Sequence, residues 1–466
     1  MKKLINYISV IAIFSACFSQ KATAQRFNFS FEQFTTENGL SHESIVSITK
    51  DKDGFIWIGT ASGLNRFDGI SFKVFLNHPD QQQTIPGNYI AGTTLDNKGY
   101  LWVATNNGLC RMDTRTLKID RIDLKGPGDN FTRYDVMFGE FDSRGTGWFI
   151  ANTYLYAVNQ ETLKWKRYAL PAARFHGNSA QIDSKDRIWL SIGRAKYLFD
   201  PKTETFRYLM GFDWSHRDSD ILCGWVKEDA SGKLWMSTWA HGFYVWDEDK
   251  QDFEKVETQP ESVTYFEFDK DEQGKPFVWC GGGGYGLMAY DTAEKKFFHF
   301  KNDPRDKYTH NLGQTANIFR DSSSGIVWIG TENGLEKYDP RTIRFRRYRI
   351  WQDKNEYANS QYFFTSGFVK DKTDTTGNTW WVSVWIGGVF KWNRDKLTLD
   401  EDYVQTPGIK DAGVFSMVQA KDGMIWIGHG KGVQVLNPRQ NKFVRHYVDF
   451  FPDQKARRSV TFICED

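Results

Sequence analysis

Nine tryptophans set the terms for this chain. Trp57, Trp102, Trp148, Trp189, Trp235, Trp279, Trp328, Trp381 and Trp426 stand in related local sequences, separated by 41 to 53 residues. A period of this length marks one supersecondary unit repeated many times, because each unit buries its apolar faces only against its neighbours. Two clear copies are Asp51-Lys52-Asp53-Gly54-Phe55-Ile56-Trp57-Ile58-Gly59-Thr60 and Asp321-Ser322-Ser323-Ser324-Gly325-Ile326-Val327-Trp328-Ile329-Gly330-Thr331. Each continues to a second glycine followed by leucine, Gly63-Leu64 or Gly334-Leu335.

Each copy reads as four short strands. The first, such as Ile45 to Thr49, ends in a turn of the Asp-x-x-Gly type, where glycine tolerates the backbone a tight hairpin demands. The second holds the tryptophan, a large buried surface, and a small residue soon after it permits close packing. The third follows Gly63 or Gly334 and ends in aromatic-Asp. The fourth is a Phe-x-x-Tyr type run, as in Phe206 to Tyr208 or Phe345 to Tyr348. No stretch keeps a helical period, so the class is all-β.

Four antiparallel strands repeated at about 45 residues are the pattern of a β-propeller blade. Rings hold about 4 to 8 blades, so nine copies require tandem β-propellers. The longest intervals flank Trp328 and place the break near Asp339. The expected organisation is a seven-bladed ring over 25–340, then the start of a second, incomplete ring over 341–466. Phe27 to Phe34 resembles a fourth strand with no blade before it, suited to completing the first ring's last blade and removing an exposed edge. Val460 to Asp466 repeats the opening of a tenth copy.

The first residues carry an address. Lys2 and Lys3 precede an apolar run from Leu4 to Phe18, and Ala22-Thr23-Ala24 offers a small-x-small cleavage site. That reads as a signal peptide over 1–24, with Gln25 as the mature start and the periplasm as the destination. Phe14-Ser15-Ala16-Cys17 is a poor lipoprotein site, and the apolar run falls short of the roughly 20 residues of a spanning helix. The remaining cysteines, Cys110, Cys223, Cys280 and Cys464, have no regular spacing and read as buried, inert thiols. The 60 Lys+Arg balance 58 Asp+Glu, which argues against nucleic acid as a partner.

The repeat resembles the two-component regulator propeller repeat. The opening, Phe34-Thr35-Thr36-Glu37-Asn38-Gly39-Leu40-Ser41 followed by the Asp51 to Leu64 copy, is similar to the start of periplasmic sensor domains of hybrid two-component systems. Copies three, four and six depart from the pattern, with Phe149 to Asn152, Asp186 in place of the turn glycine, and a lengthened first turn. The resemblance implies a receptor with two seven-bladed rings and an immunoglobulin-like segment outside the inner membrane. A membrane helix, histidine kinase, receiver and DNA-binding module would follow, in systems that switch on glycan-utilisation genes. On that reading the kinase chemistry belongs to segments beyond this chain, and the chain itself is not an enzyme.

Catalytic and metal motifs are not found. His42-Glu43 lies in a loop and does not make a phospho-accepting helix. Gly281 to Gly284 lacks the Lys-Ser/Thr and helix of a phosphate cradle. The nine histidines have no metal-ligand spacing, and no cofactor is expected. The loops between second and third strands and those between blades emerge on one side of a propeller. They carry Trp214, His216, Trp239, His241, Tyr285, Trp385, His429 and Lys431. Aromatic faces beside hydrogen-bonding groups suit sugar rings, so these are the candidate contacts for a glycan or other small ligand. The alternative is packing between blades, as for the nine framework tryptophans; Trp214 and Trp351 could instead serve a contact between rings or in a homodimer. The first functional reading is a ligand-sensing domain. A secreted propeller lyase or glycosidase and a protein-interaction scaffold are its rivals.

Overall fold

The computed structural model describes residues 27, 29–171, 179–193, 195–211, 223–256, 261–283, 286–300, 308–310, 313–341, 365–385, 388–393, 398–400, 413–447 and 459–465. The signal-peptide segment and Trp351 lie outside them. The chain divides into two compact units, one spanning Phe27–Arg344 and one containing Phe345–Asp466.

The unit Phe27–Arg344 is built of seven four-stranded antiparallel sheets. The first runs Ile45–Lys50, Ile56–Thr60, Gly63–Phe67 and Phe72–Phe75, in chain order across the sheet. The next five repeat this meander. The seventh takes three strands from the C-terminal side, Thr315–Arg320, Val327–Thr331 and Gly334–Tyr338, and its fourth from the N-terminus, Glu32–Phe34. Glu32 pairs with Lys337 and Phe34 with Leu335.

The core lies between sheets. Trp57 packs with Ile90, Leu101 and Val103 of the second sheet, Trp102 with Phe149 and Tyr156 of the third, and Trp148 with Leu190 and Tyr197 of the fourth. Trp189 meets Met236 and Tyr244, and Trp235 borders Phe266 and Val278. Trp279 meets Ile318 and Ile329. Trp328 then meets Ile45, Ile56 and Ile58 of the first sheet, which returns the order to its start. The seven sheets form a closed cycle in which each tryptophan faces the following sheet.

Glycine after the tryptophan sets how near the sheets approach. A Cβ on Gly59 would stand 2.5 Å from Ile90 Cγ2, and one on Gly330 would stand 2.6 Å from Ile45 Cγ2. The hairpin entering each tryptophan strand is held by its aspartate. Asp51 Oδ1 accepts the amides of Asp53 and Phe55, while its Oδ2 accepts the Trp57 indole N–H at 2.7 Å. In the fourth copy Asp186 adopts φ 58° where the first copy has Gly54 at 96°.

The second unit contains two described four-stranded sheets, Thr365–Lys370 through Thr398–Asp400 and Val414–Gln419 through Lys442–Tyr447. Trp381 packs against Val414, Ile425 and Ile427. Residues 459–465 run beside the second of these, with Val460 N–H donating to the His429 carbonyl. Cys110, Cys223 and Cys280 are buried free thiols, as expected. Cys464 is a correction: it is exposed, because 459–465 has no further sheet over it among the described residues.

Candidate functional site

The segments that lead into each sheet bond to the hairpin turns beside them. Gly63 N–H donates to Asn88 O, Asn106 N–H to Tyr89 O, and Gly242 N–H to Glu261 O. These turns and connections define one face of the ring. Where threonine ends the tryptophan strand it fixes the turn: Thr60, Thr105 and Thr331 accept the amide two residues on and donate to the carbonyl three residues on.

Trp239 and His241 sit in such a turn, between Leu234–Thr238 and Phe243–Asp247. Trp239 is 38% exposed, and the edge of its ring lies near Gly283 of the following sheet. The His241 amide donates to Thr238 Oγ1 at 3.1 Å. Trp214, His216 and Tyr285 lie outside the described residues.

Trp385 and His429 belong to the other unit. Trp385 is half-buried, stands edge-on to Phe415 with ring centroids 4.4 Å apart, and receives the Val414 amide on its carbonyl. His429 departs from its expected place on the loop face: its side chain is fully buried. It occupies the position of the framework threonine, and its Nδ1 accepts the Lys431 amide at 3.2 Å, as Thr60 accepts that of Ser62.

The sequence reading missed a second group, on the innermost strands of the seven-sheet unit. In each of these sheets one inner-strand residue pairs with the framework tryptophan: Thr49, Thr94, Glu140, Gln181, Lys227, Glu267 and Phe319. Two residues nearer the loop face stand Ser47, Gly92, Phe138, Ser179, Trp225, Tyr265 and Asn317. Three of these seven are large aromatics. Phe138 of the third sheet and Trp225 of the fifth meet at 4.7 Å, so their rings reach past the intervening fourth sheet. Trp225 and Tyr265 of the sixth lie 4.9 Å apart.

Tyr89, 44% exposed at the entry to the second sheet, lies near enough to Tyr265 to influence its hydroxyl. Burial foremost, with Tyr89 adding to it, pushes that phenol up to about 12. A Cβ on Gly92 would come within 2.9 Å of Phe138 Cα, so the aromatic row requires glycine there. The signal was available: Phe138 and Trp225 both stand ten residues ahead of their framework tryptophans.

One layer deeper the inner strands turn polar. Lys227 forms a short ion pair with Glu267. Glu140 Oε2 accepts the Ile182 amide at 2.7 Å. Burial raises the Glu140 carboxyl to about 6, against the lowering effects of that amide and of Lys227. Arg320 Nε donates to Asp269 at 2.7 Å, and Thr49 and Thr93 share a hydroxyl contact of 2.7 Å. Among the described residues no group of three or more His, Cys, Asp or Glu is placed to hold a metal ion.

Comparison with known proteins agrees with this architecture. Residues 39–62 match the family model of the two component regulator propeller. Over 81 residues the chain is 43% identical to histidine kinase P4 of Formosa agariphila, a stretch that is 17% of this chain and 6% of the kinase. The extracellular domain of a putative hybrid two component system from B. thetaiotaomicron superposes with TM-score 0.61 at 19% identity. That match covers 90% of this chain and 60% of the other. The extracellular domain of a putative one component system from the same organism gives 0.54 at 16% identity, over 90% of this chain and 54% of that one. Virginiamycin B lyase from Staphylococcus aureus gives 0.50 at 13% identity, with 67% of this chain and 99% of the lyase covered. These structural likenesses are of fold, and the chain spans less than two thirds of the kinase and of both extracellular domains. Residues 39–62 thus match the two component regulator propeller, within a β-propeller fold like that of the extracellular domain of a putative hybrid two component system.

Proposed function

We propose that this chain is the ligand-sensing, periplasmic part of a membrane-anchored two-component sensor, and that its ligand is a glycan fragment. The observation that carries the reading is the regulator propeller repeat joined to a ring whose loop face presents Trp239, more than a third exposed, in the same turn as His241. Aromatic faces stack on the C–H face of a sugar while neighbouring polar groups meet its hydroxyls. A ligand that prefers one arrangement of the receptor would bias the kinase in segments beyond this chain. Signal peptide cleavage ahead of Gln25 and a homodimeric receptor belong to the same proposal.

Calorimetry with a panel of glycan fragments tests it. One class should bind, without turnover, and Trp239→Ala should weaken binding about 10-fold or more, the scale of one lost stacking contact of roughly 1.5 kcal/mol. The lyase-like fold gives the rival reading a concrete form. Release of cleaved product from any member of the panel would favour an enzyme instead.

A further inference from the structure

We infer that the aromatic row on the inner strands of the Phe27–Arg344 unit is a ligand subsite, and that it takes an amino-bearing saccharide ring. The inference rests on the sensing reading above and adds to it a place and a chemistry. Trp239 lies in a loop turn, whereas Trp225 and Tyr265 come from innermost strands and Phe138 from the segment leading into a third one, and Trp225 meets both of the others. The same level is occupied by Ser47, Gly92, Ser179 and Asn317 on the other four sheets. Large, part-buried rings on one side and small residues on the other make an aromatic wall on the ring's inner surface. Tyr89, exposed beside this wall, adds a hydroxyl near Tyr265.

A register shift at the start of the inner strand recurs in the first, second, fifth and seventh sheets, and in the fifth it carries Trp225. The pairing of Cys223–Glu228 with Leu234–Thr238 shifts register between Cys223 and Val226, and the Trp225 amide turns to Ser237 Oγ at 3.0 Å.

The floor selects the ligand's polar group. Lys227 is committed to Glu267, and the donor on Glu140 is the uncharged Ile182 amide. Lys196 is held between the fourth and fifth sheets by Gln181, Ser191 and the Gly224 carbonyl, and Glu140, Lys227 and Glu267 together carry one net negative charge once Glu140 is ionised. That charge favours an ammonium or a hydrogen-bond donor below the stacked ring and disfavours a carboxylate or sulfate.

The experiment is calorimetric titration of the folded chain with trimers of glucosamine, N-acetylglucosamine and galacturonic acid, at pH 5 and pH 7.5. The glucosamine trimer should bind tightest at pH 7.5. Its advantage over the acetylated trimer should shrink at pH 5, where Glu140 holds a proton, and should vanish in Glu140→Gln. Tyr89→Ala, at an exposed position, should weaken all saccharide binding several-fold, and Trp225→Ala by 10-fold or more. Circular dichroism checks that each variant is folded, and Trp225→Phe, which keeps a ring, should lose less.

Saccharide binding that is abolished by Trp239→Ala but untouched by Tyr89→Ala and Trp225→Phe would overturn the inner-strand subsite while leaving the sensing reading intact. Tightest binding of the galacturonate trimer would overturn the charge argument. No binding by any trimer would remove this subsite, while a response to other glycans in the wider panel would keep the sensing reading.

Discussion

The aspartate six residues before a framework tryptophan does two things with two oxygens. In the second sheet Asp96 Oδ1 accepts the amides of Lys98, Gly99 and Tyr100, and Oδ2 accepts the Trp102 indole at 2.9 Å. The arrangement recurs with Asp142, Asp183 and Asp229. Both residues were visible in the sequence as a spacing, but only the turn type was read from it. The bond to the indole needs the hairpin folded back on its own second strand. Asp96→Ala would strand a buried indole donor and free the turn, at a cost of about 2–4 kcal/mol. Asp96→Asn should recover only part, since one end of its amide is a donor and faces either the indole N–H or the turn amides. Denaturant unfolding checks this, and an Asn variant as stable as the parent would contradict it.

Lys196 breaks the residue pattern. Its register in the fourth sheet is that of Leu64, Leu109, Leu155, Leu287 and Leu335 in five others and of Phe243 in the fifth sheet, opposite the residue two after the tryptophan. Its side chain is fully buried, and Nζ donates to Gln181 Oε1, Ser191 Oγ and the Gly224 carbonyl, three uncharged acceptors. Burial lowers its pKa to about 8, with the nearby Cys223 thiol acting the other way. The folded value lies below the unfolded one. The fold is therefore unpenalised above about 10.5, and stability is lost as pH falls through 8.

Lys196→Met should remove that penalty. Gln181 Oε1 keeps the Val226 amide and the Gly224 carbonyl keeps the Ser191 hydroxyl. The variant should gain on the parent by about 2–3 kcal/mol more at pH 6 than at pH 10. Equal gains at both values would mean the ammonium is better solvated than its burial implies.

At the scale of the strand, close approach was legible and axial chemistry was not. The small residue after each tryptophan reads as a packing device, and the structure gives the reason: Gly59, Gly281 and Gly330 lie against the first inner-strand residue of the next sheet, Ile90, Thr315 and Ile45. Gly59→Ala would place a methyl 2.5 Å from Ile90 Cγ2, and the shift it forces should cost about 1–3 kcal/mol. Ile90→Val, which leaves less bulk opposite, should recover part of that loss in thermal unfolding. Additive effects would show that the two side chains do not meet.

The inner strands were harder to read, because their pattern serves two surfaces at once. Alternate residues pack on neighbouring sheets while the same strand borders the ring's axis, so Phe138, Trp225 and Tyr265 read locally as ordinary core. His429 failed for the opposite reason. Its position in the repeat is a loop end, and only the buried turn bond from Lys431 shows that it does the work of a threonine.

For the ring as a whole, the decisive link joins residues some three hundred positions apart. Phe27 packs on Phe277 at 4.9 Å and Phe29 on Trp279 at 4.4 Å, and Phe31 is buried in the same cluster between the sixth and seventh sheets. The strand is then latched by the segment between those sheets: Phe31 N–H donates to Tyr308 O and Gln33 Nε2 to Thr309 O. Lys50 of the first sheet pairs with Asp321 of the seventh at 2.7 Å, and that bond together with the serine hydroxyls of its turn holds Asp321 far below the usual carboxylate range despite burial.

In a cycle each sheet has two neighbours, so opening one seam exposes two faces at once and the rest lose their mutual support. Phe31→Ala should cost about 3–5 kcal/mol and should lower the midpoint of a single transition without splitting it. Removing 27–34 goes further. It should broaden the melt into more than one step and raise hydrogen exchange first in Thr315–Arg320 and Ile45–Lys50, the strands on either side of the seam. Exchange that rose evenly around all seven sheets would mean that closure by the N-terminal strand is not what makes the ring one cooperative body.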